Sequence, residues 1–407
     1  MNCKRIVVWG IGKRSRIVLD SLQFDKCMLV SCIDRMKKEP VVIDDKVYSV
    51  GAIESIRELL FDYVIVTTAD VTDIKKQLQM FDIEDEKIIY FWDEDISKYS
   101  FLSIYPKEYY LAQSKIKEYE LVIKNAPYEY GEYRGPIIRP AEELLEKIIT
   151  EKKSLCRFGD GEFEVILGRN RSRFQKTNES FANKLEKVLH NKSANPIVAI
   201  ADNYGSLEKY TEEAAMAIRY YLTEDVRRQH MELIDLDKVY YDAYVSRSYL
   251  MYKDKCYSDK IFELYRKLFD KRDILIVEGH YTRSGYGNDL FSTAKSIKRI
   301  LCPDSNCYDV YSEIYDAIVS IAEKNDLILL TLGSTATILA YDLTCLGYQT
   351  IDLGQLDNEY EWRLRKSTTK EAIPGKTVSD MGSDRHLDTI EIDDEYYSQI
   401  VREIKSC

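Results

Sequence analysis

Short, strongly apolar runs recur along this chain, each followed by a longer amphipathic stretch, and that alternation restricts its fold more than any other feature. In the first hundred residues, strand-like runs at 5–10, 28–34, 63–68 and 88–92 alternate with helical patterns at 12–22, 53–60 and 75–80. Strands separated by helices pair in parallel, because a parallel connection needs a crossover and a helix supplies it. The second half repeats the alternation with strand-like runs at 154–158, 197–201, 240–246, 273–278, 327–332 and 349–353. Two of these, 273–278 and 327–332, are almost wholly apolar, as strands covered on both faces must be. Helical patterns at 141–150, after Pro140, and at 180–190 complete it, and a closing helix is expected at 396–404.

The predicted class is α/β, and 407 residues suit two domains. A first domain is expected over 1–100 and a second over 136–407, joined by a 101–135 connector with one helix at 108–124. A hydrophobic fraction of 45% is ample for two cores, while a net charge of −11 argues against nucleic acid as partner. A nucleotide is not excluded, since a metal and one or two arginines can meet its few charges. The apolar run 6–11 is too short and too soon broken by Lys13 and Arg14 for a secretion signal. The longest uncharged run near the end, 327–341, has 15 residues, too few to span a bilayer. Nine cysteines without a C-x-x-C pair, several inside apolar runs (Cys27, Cys32, Cys156), read as reduced thiols, and the expected location is cytoplasmic.

Several segments carry chemistry. Gly10-Ile11-Gly12 follows a strand and opens a helix, and Asp34 ends the next strand, where a ribose contact falls in dinucleotide-binding folds. The fingerprint is partial, with Ser15 in place of the third glycine, so the first domain reads as Rossmann-like with or without a bound nucleotide. In the second half, Arg157-Phe158-Gly159-Asp160-Gly161-Glu162-Phe163 follows a strand and sets two carboxylates, Asp160 and Glu162, around one glycine on a strand-to-loop turn. Such a pair suits Mn²⁺ or Mg²⁺ held jointly with diphosphate oxygens, and it also suits an ordinary acidic turn.

The segments after the later strands extend this set. Glu278 closes one strand and leads to Arg283, Asn288 and Asp289, which suit a diphosphate and sugar hydroxyls, or else a turn capping a helix near Phe291. Gly333-Ser334-Thr335 opens a helix after another strand, as a phosphate-binding turn or a simple cap. Asp202, Asn203 and Arg247 also follow strands, and in open α/β sheets ligands gather at those carboxyl ends. Asp357, Glu359 and Glu361 near Trp362 offer a base for an acceptor hydroxyl, or form a solvated face. His280 stands between Glu278 and Arg283, and Arg169, Arg171 and Arg173 form a basic run.

Taken in order, the runs at 157–163, 277–291, 332–343 and 354–362 resemble the GT-D-fold glycosyltransferases, the family first noticed in glycosylation of bacterial surface adhesins. The resemblance covers about residues 135–385. It implies metal-dependent transfer from a nucleotide sugar, UDP-glucose or a related UDP-sugar, to a glycan or glycoprotein acceptor. It further implies a metal at Asp160 and Glu162, donor contacts from Arg157, Arg283 and the Gly333 turn, and possible partnership with other transferases. Three positions depart from the family: Gln355 stands where histidine is usual, Ser334 where proline is, and His280 where an acid is. Two other readings stay open, an NAD(P)-dependent oxidoreductase using the Gly10 turn and a non-catalytic nucleotide-sugar-binding scaffold.

Overall fold

The computed structural model describes residues 3–12, 14–35, 39–43, 46–68, 72–92, 95–103, 107–169, 175–378 and 392–405. The chain divides into two units, Met1–Leu121 and Val122–Cys407. The division falls inside one helix, Lys107–Glu129, which is longer than the expected 108–124.

In the first unit the apolar runs become β1 (Lys4–Trp9), β2 (Cys27–Ile33), a small antiparallel hairpin of β3 (Val41–Ile43) and β4 (Lys46–Tyr48), β5 (Val50–Gly51), β6 (Tyr63–Val66) and β7 (Ile88–Tyr90). Five of them form a parallel sheet in the order β5-β2-β1-β6-β7. Two expected helices are cut back. The 12–22 pattern is helical only over Ser15–Asp20, and 53–60 forms a 3₁₀ turn, Ile53–Glu58. Ile53 and Ile56 are the buried pair there, and a spacing of three matches the three residues per turn of a 3₁₀ helix.

The second unit holds β8 (Ile137–Arg139), β9 (Leu155–Phe158), β10 (Ile197–Ile200), β11 (Val239–Asp242), β12 (Asp273–Gly279), β13 (Ser296–Cys302), β14 (Leu327–Thr331), β15 (Gln349–Asp352) and β16 (Ile400–Glu403). They form one parallel sheet in the order β16-β13-β12-β14-β15-β9-β10-β11-β8. Both faces are covered, which is why the central strands read as unbroken apolar runs. Leu275 and Val277 of β12, with Ile328 and Leu330 of β14, pack into one core with Phe181, Leu185 and Ile338. Their neighbours Ile274, Ile276, Leu327 and Leu329 face the opposite core with Leu145, Ile148 and Phe262.

The chain leaves β11 on one side and re-enters at β12 on the other, so the strand order reverses around β9 and β15. In open α/β sheets a reversal of this kind is where a crevice opens at the carboxyl ends of the strands. The β9–β15 seam has a single pair in register, Leu155 with Ile351. Arg157 braces it: Nε donates to the Asp352 carbonyl at 2.9 Å, Nη2 to Asp352 Oδ1 at 2.9 Å and Nη1 to the Ala243 carbonyl at 3.3 Å. Thr337 Oγ1 lies 3.0 Å from both the Arg157 carbonyl and Asp352 Oδ2.

Three further expectations are corrected. The strand at 240–246 stops at Asp242, whose carboxylate accepts the Tyr244 N–H at 2.8 Å and starts a 3₁₀ turn, Ala243–Ser246. No helix begins near Phe291; Asn288 Oδ1 accepts the Leu290 N–H at 3.0 Å and the segment runs as turns into β13. The closing helix is only Asp394–Ser398, and the β-branched pair Ile400 and Val401 goes into β16, parallel to β13.

Gly354 has φ of +58°, and a Cβ built there would lie 2.0 Å from Arg157 Nη2. Gly354→Ala is therefore expected to lower stability by about 3 kcal/mol, through left-handed strain and displacement of a buried ion pair. A denaturant midpoint unchanged from the parent's would contradict this account of the seam.

Candidate functional site

Asp160, Gly161 and Glu162 lie not on a loop, as expected, but in the first turn of a helix, Asp160–Ile166, that starts directly after β9. Glu162 folds back to accept the Gly159 N–H through Oε2 at 2.7 Å, satisfying a donor that the helix start would otherwise orphan. Its other oxygen, Oε1, accepts Ser334 Oγ at 2.6 Å. Burial raises the Glu162 carboxyl above its ordinary pKa, against the pull of these two bonds. Asp160 is half-buried and accepts the Gly161 N–H at 3.0 Å.

Ser334 opens the helix Ser334–Cys345, preceded by Gly333 with φ 55° and ψ −145°, a conformation open to glycine. The two helix starts approach closely: a Cβ on Gly161 would lie 3.7 Å from Ser334 Oγ. Thr335 is fully buried, with Oγ1 at 3.4 Å from Gln175 Oε1. Thus the Gly333–Thr335 turn and the Asp160–Glu162 pair, 172 positions apart at Glu162 and Ser334, form one corner of the crevice.

The loops after β10 and β11 build a second corner. Asp202 pairs with Lys209 and accepts the Tyr210 hydroxyl on its carbonyl at 2.5 Å. Asn203 donates to the Tyr244 hydroxyl at 3.0 Å. Asp242, which the strand reading of 240–246 concealed, is buried; its Oδ1 accepts the Tyr244 and Asp202 N–H groups and its Oδ2 the Tyr252 hydroxyl at 2.5 Å. Burial, then the Asp202 charge, push the Asp242 carboxyl up to about 6. Tyr204 of this corner bonds His230, which stacks on Phe163 of the Asp160 helix, so the two corners adjoin.

His230 was also hidden in the sequence. It is buried between the Tyr204 hydroxyl, 2.9 Å from Nδ1, and the Tyr221 hydroxyl, 3.2 Å from Nε2, and it stacks on Phe163 at 4.1 Å. Burial pushes its pKa down to about 4, so at neutral pH it is an uncharged wedge behind the Asp160 helix.

The remaining candidates are bonded within the second unit. Glu278 is fully buried, pairs with Arg299 at 2.5 Å and accepts the Ser284 N–H at 2.7 Å. Arg283 is buried, donating to the Gly375 carbonyl at 2.7 Å. The acids of 357–361 do not form a solvated face. Asp357 accepts the Gly285 N–H and the Asn288 amide, each at 2.8 Å, and pairs with Lys376 at 2.7 Å. Glu359 accepts the Tyr249 and Leu250 N–H groups at 2.9 Å, and Glu361 takes Asn288 and Lys376. Asp357 and Glu361 use both carboxylate oxygens in bonds, and Glu359 uses Oε2. Asp289 is bound to Arg266 at 2.7 Å and to the Tyr360 hydroxyl at 2.8 Å.

Gln355 lies half-buried between Gly354 and the helix Leu356–Arg365, while Arg247 is half-buried with its charge acting on Glu359 and Tyr244. His280 is half-exposed, 3.5 Å from Glu403 of β16. Arg169 pairs with Glu164 at 3.1 Å, and Arg171 and Arg173 lie outside the described residues. In the first unit, Gly10 has φ of 95°, and Asp34 Oδ2 accepts the Ile11 N–H at 2.6 Å, so the carboxylate expected at a ribose closes the Gly10–Gly12 loop. Among the described residues no three His, Cys, Asp or Glu side chains converge as a metal cluster, and no helix is long and apolar enough to cross a membrane.

A two-faced parallel sheet with an acidic helix start at its switch point defines an open α/β class of the doubly wound kind. Comparison makes the family specific. The profile described as Glycosyltransferase GT-D fold matches residues 155–381, and one described as C2185-like, N-terminal matches residues 2–89. The chain belongs to the GT-D-fold glycosyltransferase family. It is 34% identical over 271 residues to the glycosyltransferase GlyD of Streptococcus pneumoniae serotype 4, covering 66% of this chain and 32% of that protein. It is 34% identical over 260 residues to the probable glycosyl transferase Gly of Streptococcus gordonii, covering 64% and 38%. The match thus spans just under a third of the first relative and little more than a third of the second. A solved domain of unknown function 1792, described as having a distinct glycosyltransferase fold, superposes with a TM-score of 0.63 at 34% identity, covering 70% of this chain and 99% of that one. A glycosyltransferase of the same domain type from Streptococcus sanguinis gives 0.63 at 32%, covering 66% and 100%.

Asp242 allows a pH test. Its carboxyl is raised in the folded state from 3.8 to about 6, so between those values the folded chain holds a proton that the unfolded chain has released. This contribution to stability is present at the acid end of the window and is lost as pH rises through about 6. Asp242→Asn is expected to flatten that decline. Parallel stability curves for parent and variant across the window would refute the assignment.

Proposed function

We propose that this chain transfers a sugar from a nucleotide sugar, a UDP-sugar such as UDP-glucose, to a hydroxyl of a glycan or glycoprotein acceptor, with Mn²⁺ or Mg²⁺ on the donor diphosphate. The observation that carries the reading is the Asp160–Glu162 pair at a helix start, tied through Ser334 to a second helix start at the carboxyl edge of the sheet.

The residues fit such a cation. Two adjacent carboxylates without a third protein ligand suit a hard ion that completes its shell with diphosphate oxygens and water. Asp160 is the better direct ligand, because both Glu162 oxygens already accept hydrogen bonds. Glu162 then fixes the turn that aims Asp160. When bound, the cation would neutralise charge on the departing nucleotide diphosphate. The backbone N–H groups at the Ser334 helix start add a fixed positive end to the same corner. Asp202 and Asn203 offer polar groups to sugar hydroxyls, and the Tyr204–His230–Tyr221 stack keeps the Asp160 helix from shifting.

Calorimetry with UDP, GDP and NAD, each with and without Mn²⁺, tests the donor and the metal together. Tightest binding is expected for UDP with Mn²⁺. Asp160→Asn should fold like the parent and lose roughly a hundredfold or more of Mn²⁺-dependent UDP-sugar hydrolysis. Glu162→Gln should lose activity as well. Parent-like rates in both variants, or tighter binding of NAD than of UDP, would sink the proposal.

A further inference from the structure

The helix Lys107–Glu129 carries an apolar stripe that neither unit's core accounts for. Ala112, Ile116, Tyr119, Ile123 and Ala126 follow one another at alternating spacings of four and three, the a and d positions of a heptad, ahead of Pro127 in the last turn, and Tyr130 comes directly after the helix. Ile116 is 49% exposed, Tyr119 64%, Ile123 71% and Tyr130 76%. The helix is not free to roll them inward. Asn125 accepts Arg227 Nη2 at 3.0 Å, the Arg227 guanidinium lies 4.3 Å from the Tyr128 ring, and Glu129 takes a two-pronged bond from Arg219 at 2.6 and 2.7 Å. At about 100° per residue, these anchors sit on the side of the helix opposite the stripe.

We propose that this stripe is the seam of a parallel two-stranded coiled coil between two copies of the chain. Charge selects both the occupant and the direction. With Ile116 and Ile123 at a, Lys115 falls at g and Glu120 at e, and both are exposed. In a parallel, in-register pair the g residue of one helix faces the e residue of the following heptad on the other. Lys115 of each copy then meets Glu120 of the other, twice by two-fold symmetry. A different protein would need its own matching charges; a second copy has them already. The stripe is short for a free coiled coil, but its helix is already ordered by Arg219 and Arg227, so little folding cost remains at association. The expected product is a weak, concentration-dependent dimer.

Sedimentation velocity of the full chain over a wide concentration range is the direct test, and a reversible monomer–dimer equilibrium is expected. Ile116→Asp combined with Ile123→Asp alters exposed positions, so circular dichroism and melting should match the parent while dimerisation weakens at least about tenfold. Lys115→Glu should weaken it and Lys115→Glu with Glu120→Lys should restore it, a rescue that lost packing would not produce. Ile123→Cys should cross-link to itself under mild oxidation, above the background set by the parent's exposed Cys3, Cys256 and Cys345. A monomer at every concentration, or a dimer indifferent to the aspartates, overturns the proposal. Cross-linking only between Ile123→Cys and Ile116→Cys copies overturns the parallel arrangement.

Discussion

The Arg157–Asp352 pair is the contact on which the second unit depends. It crosses the seam where the strand order reverses, between β9 and β15, and there the backbone ladder is thinnest, with one residue pair in register. A weak ladder at that place is a geometric consequence of opening a crevice, since diverging strands cannot keep bonding. A half-buried arginine with three acceptors replaces the missing ladder and leaves the carboxyl ends apart. Its cost is desolvation, which only good geometry offsets. Gly354 and Thr337 supply that geometry, one by having no side chain and the other by bonding both partners.

The carboxylates of this unit fall into two groups by place. Glu278, Asp357, Glu359 and Glu361 meet arginine, lysine or backbone N–H groups and hold turns in place. Asp160, Glu162, Asp202 and Asp242 gather where β9, β10 and β11 end, and two of them, Glu162 and Asp242, are raised by burial. That gathering of carboxylates is what the proposed cation rests on, while Arg157 and Arg283 are both committed to internal acceptors.

Much of the fold was legible because buried parallel strands leave an unmistakable trace, as at 273–278 and 327–332. The errors came where side chains, not periodicity, set the boundary. Asp242 ends its strand by capping the next turn, and Asn288 bonds its neighbour's backbone instead of opening a helix. At the site, Asp160 and Glu162 stood out through their spacing around Gly161, but their helical setting did not. Asp357 and Glu359 looked like a solvated cluster because the groups that bury them, Lys376 and the 249–250 backbone, are remote in sequence. Asp242 and His230 had no local signal at all; both matter only through tyrosines brought in by the fold.

The Glu162–Ser334 bond also bears on how the protein is made. β15 separates β9 from β14 in the sheet, yet it is the last of the three to be synthesised. Until residues 349–352 emerge from the ribosome, the helix starts at Asp160 and Ser334 have no common floor. A nascent chain that already contains every acidic residue of the crevice still lacks the strand that brings them together. The Glu162–Ser334 bond therefore has its floor only once β15 lies between its neighbours.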